Sequence, residues 1–201
     1  MIAAILAGGG SSRIGRDKLL LPVRGEPMIH RTIGALTEVF DRIVVIGQPR
    51  PYLEDLGLAA VLEDSIEGAG PIGGIYTGLQ YVEDEYAFFV ACDMPFLDVG
   101  IIQQQAAWAQ EGRWDAIVPR YGELLEPLHA VYSKRCLGPL SVLIERGVYR
   151  IRRLYDRVDV RYLDIGSEAL FRTAFCNINT TEVWQEIERS PAQFEPAHSA
   201  L

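Results

Sequence analysis

The sequence predicts an α/β domain with a mostly parallel central sheet covered by helices on both faces. Three observations carry that prediction. Short apolar runs alternate with stretches of helical periodicity along most of the chain, the pattern of strand–helix–strand crossovers. The runs are short and bounded by Gly, Pro or Asp, as buried strands are. With 201 residues, 49% hydrophobic and 23% charged, the chain has material for one substantial core.

Taken in order, residues 2–7 read as a buried strand ended by glycine. "PMIHRTIGALTEVF" (27–40) carries apolar residues at Met28, Ile29, Ile33, Leu36 and Phe40; that spacing is helical, and Pro27 suits a first turn. "RIVVIG" (42–47) and "AAVLED" (59–64) are the second and third strands. "PIGGIYTGLQYV" (71–82) reads as a helix weakened by Gly73 and Gly74. "YAFFVACDMP" (86–95) is the clearest strand, with an Asp at its exit. Residues 98–110 are helical, 115–119 and 127–133 are strands, and 134–146 form a helix. A strand over 158–165 and a closing helix over 181–188 complete a domain spanning 1–188. Residues 189–201 lose periodicity and read as a flexible tail. The chain shows no internal repeat, linker or second domain.

In such sheets ligands bind beyond the carboxyl ends of the strands. Three segments fall at such ends: Gly8–Lys18, Glu63–Gly70 and Asp93. A formal net charge of −8 argues against a nucleic-acid partner. Cys92, Cys136 and Cys176 are dispersed, and three isolated histidines build no metal cluster, so neither a disulfide framework nor a zinc site is expected. No stretch approaches the roughly 18 apolar residues of a membrane span, and the N-terminus lacks a basic segment ahead of its apolar run. A cytoplasmic protein with no membrane partner is expected.

The segment "ILAGGGSSRIGRDKLLL" (5–21) leaves the first strand with three glycines and then three cations, Arg13, Arg16 and Lys18. Consecutive glycines let backbone N–H groups converge on an anion, and a following helix start adds to that potential. Of 19 basic residues only Lys18 and Lys134 are lysines, which marks position 18 as one suited to a compact ammonium. A P-loop would need G-x-x-x-x-G-K-[ST], but Gly10 and Gly15 are followed by Arg16 and Asp17. A dinucleotide-binding G-x-G-x-x-G fails at Arg13.

The spelling that fits is L-A-G-G-x-S-x-R-x-G-x-D-K, over Leu6 to Lys18. It resembles the opening signature of the sugar-nucleotide-type nucleotidyltransferases, and within them the molybdenum cofactor guanylyltransferases (MobA-like proteins). "EDSIEGAGPIGGI" (63–75), "ACDMPFL" (91–97), "EPLHAVY" (126–132) and "NINTTE" (177–182) are similar to further segments of that family, in the family's order. Three positions depart from its pattern: Ile14 replaces a usual Met, Gln48 stands where an Asn-containing turn is common, and Thr181 replaces a proline.

The resemblance implies a single-domain Rossmann-like nucleotidyltransferase fold that transfers GMP from GTP to the phosphate of molybdopterin and releases pyrophosphate. It further implies Mg²⁺ held by Asp93, with Arg13 and Lys18 on the triphosphate. Leu6, Ala7, Gly8 and Gly9 would meet the purine through backbone, with Gln48 and Asp64 nearby. Asn177 and Asn179 match molybdopterin-side positions; Arg150 and Arg153 are chosen from "RGVYRIRRLYDR" (146–157), which holds five arginines. Further partners on this reading are molybdoenzyme-specific chaperones and other cofactor-biosynthesis proteins. A phosphate-monoester acceptor is already largely ionised at neutral pH, with a second pKa of about 6, so the absence of a Ser-His-Asp set is consistent with it. Two alternatives stay open: a cytidylyltransferase or related enzyme with another phosphate acceptor, and a non-catalytic GTP- or cofactor-binding delivery protein. Relatives that use CTP usually read L-A-A-G, so Gly8 favours GTP.

Overall fold

Each apolar run becomes a strand with a layer of helix on either side. The computed structural model describes residues 1–8, 17–66 and 68–189. In chain order these form β1 (Ile2–Leu6), the short strands β2 (Pro22–Val23) and β3 (Glu26–Pro27), α1 (Met28–Thr37), β4 (Ile43–Ile46), β5 (Ala60–Leu62), α2 (Pro71–Tyr81) and β6 (Tyr86–Ala91). Then come α3 (Val99–Gln110), β7 (Ala116–Tyr121), β8 (Leu124–Leu125), β9 (His129–Ser133), α4 (Leu137–Glu145), β10 (Val160–Asp164), α5 (Glu168–Ala174) and α6 (Thr181–Arg189).

The main sheet runs β10-β7-β9-β6-β1-β4-β5, with β8 folded back on β7. Neighbours β5, β4, β1 and β6 are parallel, as are β7 and β10. Strand β9 lies antiparallel between β6 and β7. The sheet is therefore mixed but mostly parallel, and β9 brings its amino-terminal end to the edge where the parallel strands end.

Strand periodicity divides the core in two. Ala4 and Leu6 of β1 face a layer with Ile75 and Leu79 of α2 and Leu140 of α4. Ala3 and Ile5 face Ile29 and Leu36 of α1 and Ile102 of α3. Because both faces are buried, β1, β4 and β6 read as unbroken apolar runs. The glycines of α2, which lower its helix propensity, have a packing reason. A Cβ on Gly74 would lie 2.8 Å from Leu6 Cδ2, and one on Gly78 2.5 Å from Phe89 Cε1. Bare backbone lets this helix settle onto β1 and β6.

Several boundaries differ from the sequence reading. Pro27 ends β3 and caps α1 instead of opening it. The strand expected over 86–95 stops at Ala91, because the chain turns there, with Met94 N–H donating to the Ala91 carbonyl at 3.4 Å. Residues 134–136 form a 3-10 turn before α4. Helix α5, the ribbon β2–β3 and the 3-10 turn Pro51–Leu56 were not read from sequence. The last residue of α6 is Arg189; the remainder of the expected tail lies outside the described residues. No described helix is long and apolar enough to cross a membrane.

Candidate active site

A cleft of about 1050 Å³ opens at the carboxyl edge of β1, β4, β5 and β6. All three segments singled out at strand ends contribute to it, through Gly8, Asp64 and Asp93. The sheet itself pins the backbone at its floor. The Leu6 carbonyl accepts from the Cys92 amide at 3.1 Å, and the Ala7 amide donates to the Ile46 carbonyl at 2.7 Å. A Cβ on Gly47 would lie 2.8 Å from the Ala7 carbonyl group, so glycine after β4 lets that strand's exit close against the end of β1.

The charged centre draws on three distant parts of the chain. Lys18 follows Asp17, which caps a 3-10 turn by accepting from the Leu19 amide at 3.2 Å. Its ammonium donates to Asp93 Oδ2 at 3.2 Å and to Asn179 Oδ1 at 3.0 Å. Lys18 and Asp93 side chains are only 19% and 16% exposed, so water screens the pair incompletely. Asp93 sits in the turn after β6, and its carbonyl accepts from the Ile178 amide at 2.9 Å. That bond seats the "NINT" segment. Ile178 is fully buried with Phe96, Leu21 and Ile187, and its neighbours Asn177 and Asn179 line the cleft. Helix α6 holds this arrangement from behind, with Trp184 Nε1 donating to the Pro22 carbonyl at 2.6 Å.

A second knot lies on the other side of Lys18. Asp17 Oδ2 accepts from the Tyr52 hydroxyl at 2.6 Å and pairs with Arg50 Nε at 2.9 Å. Burial raises the Tyr52 hydroxyl's pKa, and its bond to Asp17 raises it further, so it stays a donor. Arg50 lines the cleft, as does the exposed Gln48. The sequence reading did not assign Asp17, Arg50 or Tyr52 to the site. The available signal was a further cation, Arg50, three residues after the strand exit at Gly47. Asp64 is engaged by its own loop and by α2: Oδ1 accepts from the Ile66 amide at 3.1 Å and the Thr77 hydroxyl at 3.2 Å.

Arg150 lies outside this cleft, in an adjoining cavity of about 440 Å³ that shares Pro71 and Leu128 with it. The expected partner Arg153 lines neither. It pairs with Asp156 at 3.5 Å, both side chains about two-thirds exposed, and Arg152 lines the cavity instead. Gly9 and Arg13 lie outside the described residues.

Asp93 supplies one carboxylate to the cleft, the kind of oxygen ligand a hard divalent cation takes along with substrate phosphates and water. No group of three or more His, Cys, Asp or Glu that could hold a metal ion occurs among the described residues. The neighbouring Cys92 thiol is pushed up to about 12, by burial first and by the Asp93 charge second. It stays neutral at physiological pH, so oxygen is the ligand type on offer.

Residues 3–161 match the model of the MobA-like NTP transferase domain. The chain is 37% identical to the "Probable molybdenum cofactor guanylyltransferase" of Pelotomaculum thermopropionicum, over 88% of this chain and 86% of that protein. It is 36% identical to the molybdenum cofactor guanylyltransferase of Desulfosudis oleivorans, over 94% and 93%. Among solved structures it superposes on the molybdopterin-guanine dinucleotide biosynthesis protein A of Archaeoglobus fulgidus with a TM-score of 0.79 and 25% identity, covering 96% of this chain and all of that one.

Proposed function

The chain belongs to the MobA-like NTP transferase family, and from that premise we propose that it transfers GMP from GTP to the phosphate of molybdopterin, forming the guanine dinucleotide cofactor and releasing pyrophosphate. The observation that carries this reading is the convergence of Lys18, Asp93 and Asn179 within hydrogen-bond distance, at the edge where β1 and β6 end.

Nucleotidyl transfer demands positioning and charge neutralisation more than proton transfer. A phosphate oxygen of the acceptor attacks the α-phosphorus, the α–β bond breaks, and its electron pair leaves with pyrophosphate. On this reading the base lies against the backbone of Leu6, Ala7 and Gly8, within reach of Gln48 and Asp64. Lys18, with Arg13 from the preceding loop and Arg50 from the β4 exit, neutralises the triphosphate. Asp93 would hold Mg²⁺, which when bound offsets the charge that develops on the departing pyrophosphate. Asn177, Asn179 and Arg150 orient the acceptor. The three free thiols and the absence of a membrane-spanning helix among the described residues support a cytoplasmic location. Molybdoenzyme-specific chaperones and other cofactor-biosynthesis proteins are the partners this product calls for.

The test is pyrophosphate release with Mg²⁺ and molybdopterin, comparing GTP, CTP and ATP in parallel. Release with GTP alone is expected. Release with CTP would keep the chemistry and overturn the base choice. GTP binding without release under any condition would make the protein a carrier.

A further inference from the structure

The smaller cavity beside the cleft holds an acid that the reaction described above does not use. Glu126 projects into it from the segment before β9, while Tyr149, Arg150 and Arg152 enter from the turn after α4. Both walls are fixed. The Glu126 amide donates to the Pro119 carbonyl at 3.0 Å, and the Pro127 carbonyl accepts from the buried Tyr132 hydroxyl at 2.9 Å. On the arginine side, Ile151 and Leu154 are sunk in the core and anchor the turn. Among the described residues the carboxylate is held by a backbone amide and by no ion pair. Glu126 Oε1 accepts the Leu128 amide at 3.1 Å, and an ionised carboxylate can accept about four hydrogen bonds in all. Its surroundings include Pro127, Leu128 and Ile151. Burial there pushes the carboxyl up to about 7, the Leu128 amide pulls it back, and Asp93 and Arg152 act on it more weakly with opposite signs. Above about pH 7 this acid is ionised, and a carboxylate at a junction between two cavities then offers both oxygens to N–H groups of a ligand.

We propose that Glu126 reads the heterocycle of the acceptor. Its carboxylate accepts the N3–H and 2-amino hydrogens of a 2-amino-4-oxopteridine seated in the small cavity, whose phosphate reaches past Leu128 into the main cleft. Two adjacent N–H donors facing a carboxylate form a bidentate pair, which fixes orientation as well as affinity. Arg150 and Arg152 line the same cavity beside the heterocycle, and Tyr149 offers an aromatic surface there. The assignment rests on the reading of the acceptor as a pterin phosphate.

The test uses the full chain, with 6-hydroxymethylpterin phosphate and its lumazine counterpart, in which the 2-amino group is replaced by oxygen. Dissociation constants for both are measured by calorimetry on the wild type and on Glu126→Gln, with GTP affinity and thermal midpoint followed in parallel. The wild type is expected to prefer the pterin by about 10- to 100-fold, because lumazine puts an acceptor where the carboxylate needs a donor. Glu126→Gln should erase most of that preference while GTP affinity holds. A wild type that binds both compounds equally well overturns the assignment without any variant. So does a Glu126→Gln protein that keeps the full preference. If the wild type binds neither compound and releases no pyrophosphate with molybdopterin, the acceptor reading fails, and the Glu126 assignment falls with it.

Discussion

The two halves of the sheet meet at β6 and solve different problems. From β6 through β1 and β4 to β5 every pairing is parallel, so successive loops emerge at one edge and the larger cleft forms there with an apolar core beneath it. Across β6 the antiparallel β9 is inserted, and two things change. The edge is now reached by the segment before a strand, which delivers Glu126 to the smaller cavity. The core beneath also becomes partly polar: His129 and Gln105 are fully buried there. Gln105 Nε2 donates to the Ile117 and His129 carbonyls at 3.2 and 3.0 Å. The His129 ring nitrogens find no hydrogen-bond partner among the described residues. The parallel half concentrates its charge at the surface of the site, whereas the half containing β9 carries part of its polarity inside.

Breaking the parallel half at its charged centre should have the largest effect. Asp93→Ala removes the proposed magnesium ligand and the partner of Lys18. Turnover should fall by about 10²–10³-fold or more, while GTP binding measured without metal changes far less. Pyrophosphate release and equilibrium GTP binding on the same preparation check this. Wild-type turnover would remove Asp93 from the mechanism.

The half containing β9 should show its polarity as acid sensitivity. His129 lies edge-on to Phe88 and Phe175, each at 5.0 Å, and burial lowers its pKa to about 4. The unfolded chain binds the proton near 6.5, so between about pH 6.5 and 4 the unfolded state holds more protons. Stability is full above that window and is lost as pH falls through it, by about 2–3 kcal/mol at pH 4.5. Glu126 works in the opposite sense between its ordinary range and about 7, because its folded form holds the extra proton. The wild-type pH profile therefore mixes the two, and His129→Leu separates them. Urea unfolding at pH 7.5 and 4.5 should show the variant losing about 2–3 kcal/mol less than the wild type. Equal losses would mean that the imidazole is already solvated in the native state.

The same contrast explains what could be read from sequence. β1, β4, β6 and the turn at Asp93 were legible because burial on both faces and a following turn leave an unmistakable local pattern. Lys18, Asp93 and Asn179 were legible through the motifs around them, although nothing local to any one of them reveals that they meet. The end of β6 was overrun because Met94, Phe96 and Leu97 are also buried, so hydrophobicity continues after the strand has stopped. Helix α5 had its signal: Ser167 accepts from the Leu170 amide at 3.3 Å as a cap, with Glu168 in the first turn. The ribbon β2–β3 was hidden because Arg24, at φ 54°, shares its turn with Gly25, and a left-handed arginine is not a turn signal. Among the arginines of 146–157, composition marked the segment but could not distinguish Arg152 from Arg153. Which of two adjacent side chains faces a cavity is settled by how the turn is anchored.

Smallest of the expected effects, and most diagnostic of how the parallel half is held, is that of Asp17. Its carboxylate ties together the Leu19 amide, the Tyr52 hydroxyl and the Arg50 guanidinium, joining the end of the glycine loop to the exit of β4. Asp17→Asn keeps the size of the side chain but removes its charge, weakening the hold on Arg50 and making the cleft one unit more positive. Lys18, one residue on, then loses part of its positioning, so kcat should fall by about 3- to 10-fold, the scale of a single charge-assisted hydrogen bond. GTP affinity should hold or tighten, because Arg50 becomes available to a triphosphate. That split between kcat and binding is what a positioning role requires. If Asp17→Asn weakens GTP binding as much as it slows turnover, the knot is a fastening of the fold and Lys18 is placed without it.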